Sequence, residues 1–182
     1  MQPIRPPEDS QPTNQVSAAR LISYQDTLRA IGHWLDSQEA EAFSLFETPD
    51  DVVVVLEKPV HSASEHHFTP AHLTERLEEM QRSRADAKKA PRGIPGFGVE
   101  SSGYRDFFRA LGFELDHAGA HGIILVKVAD QFLLTYSYMD PVHGAAWLKR
   151  RITIDEPAMA EIMNASRSRR RWNDQRRRFW PL

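Results

Sequence analysis

Apolar residues recur at the spacing of an amphipathic helix in two segments of this chain. In each segment an aromatic residue is followed by apolar residues four, seven and eleven positions later, which puts all four on one helix face. The stripe is Tyr24, Leu28, Ile31 and Leu35 in the first segment and Tyr104, Phe108, Leu111 and Leu115 in the second. Two amphipathic helices are therefore predicted.

The two helices belong to an internal repeat with an offset of 80 residues. Seven of thirteen residues are identical between positions 24–36 and 104–116. The identical pairs are Tyr24/Tyr104, Asp26/Asp106, Arg29/Arg109, Ala30/Ala110, Gly32/Gly112, Leu35/Leu115 and Asp36/Asp116. The offset continues without a gap, which predicts a duplication. A glycine inside a helix costs about 1 kcal/mol relative to alanine, so its recurrence predicts close packing against the backbone at Gly32 and Gly112.

Runs of apolar and alternating residues predict three strands and a second helix in each copy. The predicted strands are 42–47, 52–57 and 61–68 in the first copy and 122–128, 131–138 and 146–154 in the second. Thr69 followed by Pro70 favours a helix start, and Asp155 stands at the same place in the second copy. The predicted fold class is α+β, built from two tandem αβββα repeats.

The run Val52–Leu56 is apolar on both strand faces, so both faces are expected to be covered. Units of about 70 residues are marginally stable alone. We therefore expect the copies to form an intrachain pseudo-dimer in which the second sheet face meets the sister copy or a partner.

Composition divides the chain further. Residues 1–19 are predicted to be disordered, 20–90 to form the first repeat, 91–103 to be a Gly/Pro linker, 104–166 to form the second repeat and 167–182 to be a basic tail.

No cysteine is present, which excludes disulfides and cysteine-ligated metals. No apolar run approaches the ~20 residues of a membrane span, and the first residues lack an apolar signal-peptide region. We expect a cytoplasmic protein with no membrane contact.

The tail differs in charge from the rest of the chain. Seven arginines and one aspartate give residues 166–182 a net charge of +6, which leaves −8 for residues 1–165. Aromatic residues are interleaved with the arginines. The predicted binding residues are Arg167, Arg169, Arg170, Arg171, Trp172, Arg176, Arg177, Arg178, Phe179 and Trp180. Arginine and tryptophan are favoured at protein contact sites, and the same mixture binds RNA or single-stranded DNA. A helix that folds back on the acidic body is the third interpretation.

Charged residues also recur on the first helix of each copy. Asp26 and Arg29, like Asp106 and Arg109, are three positions apart. The first interpretation is an ion pair along each helix, which contributes a few tenths of a kcal/mol. The alternative is a repeat-equivalent polar contact between the copies or with a partner.

Candidate catalytic chemistry is sparse. Glu65, His66, His67 and His72 supply metal-binding side chains, but zinc needs three or four convergent ligands and the second copy lacks these residues. Asp50 with Glu57-Lys58 resembles part of the PD-(D/E)xK nuclease motif, although Glu57 and Lys58 are adjacent and should face opposite sides of a strand. We predict no catalytic residue, no metal and no cofactor.

The αβββα order also resembles the topology of the double-stranded-RNA-binding domain, which implies RNA binding. The helix starts at 69–72 and 156–159 carry none of the lysines typical of that family. The first hypothesis is therefore a non-enzymatic interaction protein, an adaptor or accessory subunit of a larger assembly, anchored by its tail to a protein partner. The second is a nucleic-acid-binding factor that uses the same tail for RNA or single-stranded DNA. The third is a metal-dependent hydrolase or nuclease.

Overall fold

The computed structural model describes residues 22–57, 63–82, 93–97, 103–139 and 146–179, with side chains described as far as Ser168. In these ranges the chain forms four helices and six strands. The first half contains α1 (Tyr24–Gln38), β1 (Ala42–Glu47), β2 (Val52–Glu57), β3 (Ala63–Phe68) and α2 (Pro70–Arg82). The second half contains α3 (Tyr104–His117), β4 (His121–Val128), β5 (Gln131–Met139), β6 (Trp147–Ile154) and α4 (Glu156–Phe179).

The six strands form one antiparallel sheet in the order β3-β2-β1-β4-β5-β6. Helices and an antiparallel sheet in one chain make the protein α+β, as the sequence predicts. The two halves meet where β1 pairs with β4, in a register that sets Leu45 opposite Leu125. Ser44 pairs with Val126, and Phe46 with Ile124.

One face of the sheet carries the core. Side chains on alternate positions of the strands, such as Leu45, Val54, Leu125 and Leu134, are fully buried against the helices. The helices contact one another in the order α2-α1-α3-α4. Burial of this apolar surface, at roughly 25 cal/mol per Å², is the main force that holds the layers together.

Aromatic rings fill the centre of that core. Phe43 on β1 lies 5.6 Å from Tyr104 and 6.0 Å from Phe108 between ring centroids, and Phe107 lies 4.9 Å from Phe132. Because β1, α3 and β5 all contribute, the cluster joins both halves. Such edge-on and tilted ring pairs add about 0.5–1.5 kcal/mol beyond their burial.

The halves pair edge to edge, and this differs from one expectation. The apolar run of β2 suggests that the sister copy or a partner covers the second face of the sheet. The second half instead extends the same sheet beside the first, with α1 and α3 packed on the same side. The opposite face, which we call the open face, carries Ile124, Val128, Met139 and Trp147, and each is 47–54% exposed.

The predicted linker and the predicted boundary between the second repeat and the tail differ from the structure. Within the predicted linker, Ile94 is buried and the ring of Phe97 lies 5.3 Å from that of Phe132, so residues 93–97 pack on the core. Helix α4 crosses the predicted repeat–tail boundary at 166/167 without a break. The segment 1–19 lies outside the described residues. Within the described ranges, no helix is both long and apolar enough to cross a membrane.

Candidate interaction surfaces

Helices α1 and α3 approach each other closely at their glycines. A Cβ placed on Gly32 would lie 2.7 Å from the carbonyl oxygen of Tyr104. A Cβ on Gly112 would be still closer to the carbonyl oxygen of Tyr24. Only glycine permits this approach, so the predicted close packing at both positions is confirmed.

Each of these helices also caps the other. The carboxylate of Asp36, near the end of α1, accepts hydrogen bonds from the backbone N–H groups of Tyr104 (2.7 Å) and Arg105 (3.1 Å). Asp116 accepts from Tyr24 (2.8 Å) and Gln25 (2.9 Å). The first N–H groups of a helix have no partner within that helix, and its positive end favours a carboxylate. The sequence repeats both aspartates, but their capping role was not predicted.

Burial raises the pKa of Asp36, while the backbone hydrogen bonds from Arg105 and Tyr104 act in the opposite direction. A buried carboxylate is costly without such donors. The hydrogen bonds therefore allow a charged group to sit between the halves.

The predicted polar positions Asp26, Arg29, Asp106 and Arg109 lie elsewhere. Asp26 Oδ1 is 3.7 Å from Arg29 Nη1 along α1, the ion pair of the first interpretation. In α3, Asp106 accepts instead from Arg105 Nε at 3.3 Å. Asp36 and Asp116 make repeat-equivalent polar contacts between the halves.

A cleft of about 210 Å³ separates α3 from α4. It brings Asp106 and Arg109, the predicted polar pair of the second half, together with Arg167 of the predicted tail. Its lining consists of Asp106, Arg109, Ala110, Met163, Ser166 and Arg167. Two guanidinium groups beside one carboxylate suit a polar or acidic side chain of a partner.

The first turns of helix α4 pack against the core, and the helix then continues to Phe179. Asp155 accepts a hydrogen bond from the N–H of Ala158 (3.0 Å), which caps the start of the helix. Met159 and Ser166 are buried, and Ile162 and Met163 pack against the core. The helical backbone then continues from Arg169 to Phe179, a length of about 16 Å at 1.5 Å per residue.

Most predicted tail residues lie on that extension, which we call the arm (Arg167–Phe179). Arg167 is exposed. Arg169, Arg170, Arg171, Trp172, Arg176, Arg177, Arg178 and Phe179 lie on the helical backbone of the arm, and Trp180 lies outside the described residues. Positions 169, 172, 176 and 179 are three or four apart, the spacing of one helix face.

A second basic surface was not predicted. Lys149, Arg150 and Arg151 are all exposed on β6, the edge strand of the second half. Trp147 on the same strand is 48% exposed and its ring lies 5.1 Å from that of His121. The signal was visible as three consecutive basic residues within a predicted strand.

The neighbouring histidines His66 and His67 lie on opposite faces of β3. Adjacent residues of a strand point to opposite faces, and the ring of His66 lies 4.6 Å from that of Trp34 on the helix side. On the open face, His67 Nδ1 lies 2.6 Å from Asp51 Oδ2 and its Nε2 lies 2.9 Å from Glu65 Oε1. Among the described residues no three histidine or carboxylate side chains are grouped to hold a metal ion.

The open-face histidine pairs with carboxylates. The hydrogen bond from His67 to Asp51 is the main reason that the pKa of His67 is raised, and Glu65 adds to it. The pKa of Asp51 is lowered, first by the hydroxyl of Thr48 and then by His67. At acidic pH, this edge therefore holds a proton on His67 between two carboxylates.

A cleft of about 350 Å³ lies between α1, α2 and β3. Its walls include Trp34, His66, His72 and Glu79, and the guanidinium of Arg76 lies 5.7 Å from the centre of the Phe68 ring. The walls carry charges of both signs beside aromatic rings, which suits a polar contact with a partner better than an enclosed small-molecule site.

One lysine is buried within the core. The Nζ of Lys127, a residue only 2% exposed, donates to the carbonyl oxygens of Glu41 (2.5 Å) and Ala129 (2.8 Å). Burial lowers the pKa of Lys127. Both contacts are to backbone, so this lysine holds strand ends together.

Comparisons of the chain with models of known families, with curated proteins and with solved structures find no match.

Proposed function

We propose that this protein is a non-enzymatic adaptor or accessory subunit that binds a protein partner through the arm. The observation that carries the proposal is the construction of α4. Its first turns pack on α3 and the sheet through Met159, Met163 and Ser166. The same helix then continues into the arginine and aromatic residues. A helix rooted in a core presents such residues at lower entropic cost than a free peptide.

The charge of the body favours a protein over a nucleic acid. Residues 1–165 carry a net charge of −8, which repels a phosphate backbone from most of the surface. A protein partner that binds the arm in an acidic groove would contact only the basic helix, and would not have to approach the acidic body. Tryptophan and arginine are the residues most enriched at the centres of such interfaces.

The proposal includes a tandem origin for the scaffold, with two αβββα units arranged as an intrachain pseudo-dimer. Leu45 pairs with Leu125, the residue 80 positions later, and that same offset relates Asp36 to Asp116 and Gly32 to Gly112. These contacts support an approximate twofold axis between β1 and β4. We keep the cytoplasm as the expected compartment, on the basis of composition.

Capture from host lysate tests the arm. The baits are the full chain, a variant in which Arg169–Arg171 and Arg176–Arg178 are glutamine, and a variant with Trp172→Ala and Phe179→Ala. Arg82→Gln, at an exposed basic residue of α2 away from the arm, provides a control for loss of positive charge. We expect one protein to be retained by the full chain and the control, to be lost with both arm variants, and to survive nuclease treatment. Equal retention by all baits would overturn the proposal.

A nucleic-acid-binding function is the second candidate, and β6 is the observation that favours it. Lys149, Arg150 and Arg151 are exposed beside Trp147 and add to the positive charge of the arm. If RNA or single-stranded DNA is the ligand, capture will disappear on nuclease treatment. The logarithm of affinity will also fall with the logarithm of salt concentration, by roughly 0.7–0.9 per phosphate neutralised.

A further inference from the structure

The open face has three zones that run across the sheet. Its middle is apolar, because Phe46 and Val55 flank the centre in the first half and Ile124, Val126 and Leu133 do so in the second. Ile124 is 47% exposed and Val128 is 54% exposed. Large apolar side chains exposed together on one surface usually mark a contact site.

The two edges of the open face carry opposite charges. At the β3 edge, Glu65 is exposed and Asp51 lies next to His67, and Glu57 is exposed on the neighbouring strand β2. At the β6 edge, Lys149 and Arg151 point to the same face, since they pair with Ser137 and Thr135 of β5. The order across the sheet is therefore acidic, apolar, basic. At about 4.8 Å per strand the charged edges are roughly 24 Å apart.

Such a surface is complementary to itself. A twofold axis that runs between two stacked sheets, parallel to their strands, lays the β3 edge of one copy over the β6 edge of the other. By the strand registers, Glu65 of each copy then lies level with Thr153 on β6 of the other, one residue pair along the strand from Arg151, while the apolar middle zones face each other. Two sheets pack in this way about 10 Å apart, with strand directions within about 30°.

We propose that the open face is the interface of a homodimer, in which a second copy of this chain covers it. The surface is large enough: six strands of about six residues span about 600 Å² per copy, or about 1,200 Å² for the pair, which is the lower end of a specific interface. The face lies opposite the helix layer, so this contact adds to the proposed binding by the arm and does not depend on it. A twofold dimer would carry two arms, which strengthens binding to a repeated partner.

Sedimentation equilibrium of the full chain tests the dimer, and charge reversal tests its geometry. One variant makes the acidic edge basic (Glu57→Lys and Glu65→Lys), and the other makes the basic edge acidic (Lys149→Glu and Arg151→Glu). Each variant then has like charges at both edges, so each should self-associate more than tenfold more weakly than the natural chain. An equimolar mixture of the two should regain dimers, because one copy is basic at both edges and the other is acidic.

Two further variants complete the test. Ile124→Lys places a charge in the apolar middle and should give a monomer, with its fold checked by circular dichroism. Glu75→Lys with Glu78→Lys reverses two exposed charges on α2 and should leave the dimer unchanged. A natural chain that sediments as a monomer would overturn the proposal, as would a dimer that Ile124→Lys leaves intact or a mixture of charge variants that stays monomeric.

Discussion

The two halves of the molecule are alike at the centre and different at the edges. At the centre, Gly32 and Gly112 bring α1 and α3 together, while Asp36 and Asp116 each cap the other half's helix. At the edges, β3 carries Glu65 and two histidines where β6 carries three basic residues, and α2 has 13 residues where α4 has 24. The comparison teaches that packing constrains the middle of this fold, whereas its margins are free to acquire binding chemistry.

Adding a methyl group to the shared centre should have the largest effect. In Gly112→Ala the new Cβ would collide with the carbonyl of Tyr24, and in Gly32→Ala it would collide with that of Tyr104. Overpacking costs about 1–3 kcal/mol or more, and the helix propensity of alanine returns only about 1 kcal/mol. We expect each variant to lose about 2 kcal/mol of unfolding free energy, measured by urea denaturation.

The control for these variants is Gln38→Ala, an exposed change in the last turn of α1, which should stay within about 0.5 kcal/mol of the natural chain. If Gly32→Ala or Gly112→Ala is as stable as the natural chain, the close approach of α1 and α3 is wrong.

Removing a reciprocal cap should have the next largest effect. Asp36→Ala leaves the N–H groups of Tyr104 and Arg105 without their acceptor, and loss of a helix cap costs about 0.5–2 kcal/mol. We expect Asp116→Ala to cost a similar amount, because its two hydrogen bonds are equivalent. Thermal and urea unfolding measure both.

The matched control is Glu78→Ala, which removes a carboxylate whose ion pair with Arg82 (3.9 Å) is exposed. Exposed pairs contribute about 0–1 kcal/mol. A cost for Asp36→Ala no larger than that of Glu78→Ala would contradict the capping role.

The smallest effect should come from an edge difference. His67 pairs with Val53 in the first half, whereas Thr153 pairs with Leu133, the residue 80 positions after Val53, in the second. NMR titration should find the pKa of His67 above its ordinary value of 6.5. The stabilisation from protonated His67 is then complete below 6.5 and is lost as pH rises through the raised pKa. At the acid end it is lost as pH falls through the pKa of Asp51, which lies below 3.8.

Two variants separate the partners of His67. Asp51→Asn should return the pKa of His67 most of the way to 6.5, because the hydrogen bond to Asp51 is the main cause of the shift. Glu65→Gln should lower it less. The reverse order would show that Glu65, and not Asp51, holds the proton.

Local pattern was sufficient to predict the elements of this fold. The strands at 42–47 and 52–57 and the start of α1 at Tyr24 agree with the structure, because helical and strand periodicities are set by neighbouring residues. The packing at Gly32 and Gly112 was predictable for a related reason, since a residue that is costly in a helix recurs at the same place in both predicted repeats.

Long-range arrangement was not predictable in the same way. The apolar run of β2 is compatible with face-to-face and with edge-to-edge assembly, so periodicity could not distinguish them. The partners of Asp36 are about 70 residues away, and no local rule connects them. The predicted end of the second repeat at residue 166 rested on the change to an arginine-rich composition, but a helix can continue through arginines.

The most direct test of the account compares a variant of the centre with a variant of the arm in one capture experiment. Asp36→Asn weakens a structural contact but leaves the surface intact, whereas glutamine at Arg169–Arg171 and Arg176–Arg178 removes the charge of the arm. The account predicts that quantitative mass spectrometry finds the partner retained by Asp36→Asn and lost by the arm variant. Retention by the arm variant together with loss from Asp36→Asn would show that binding depends on the centre, and would contradict it.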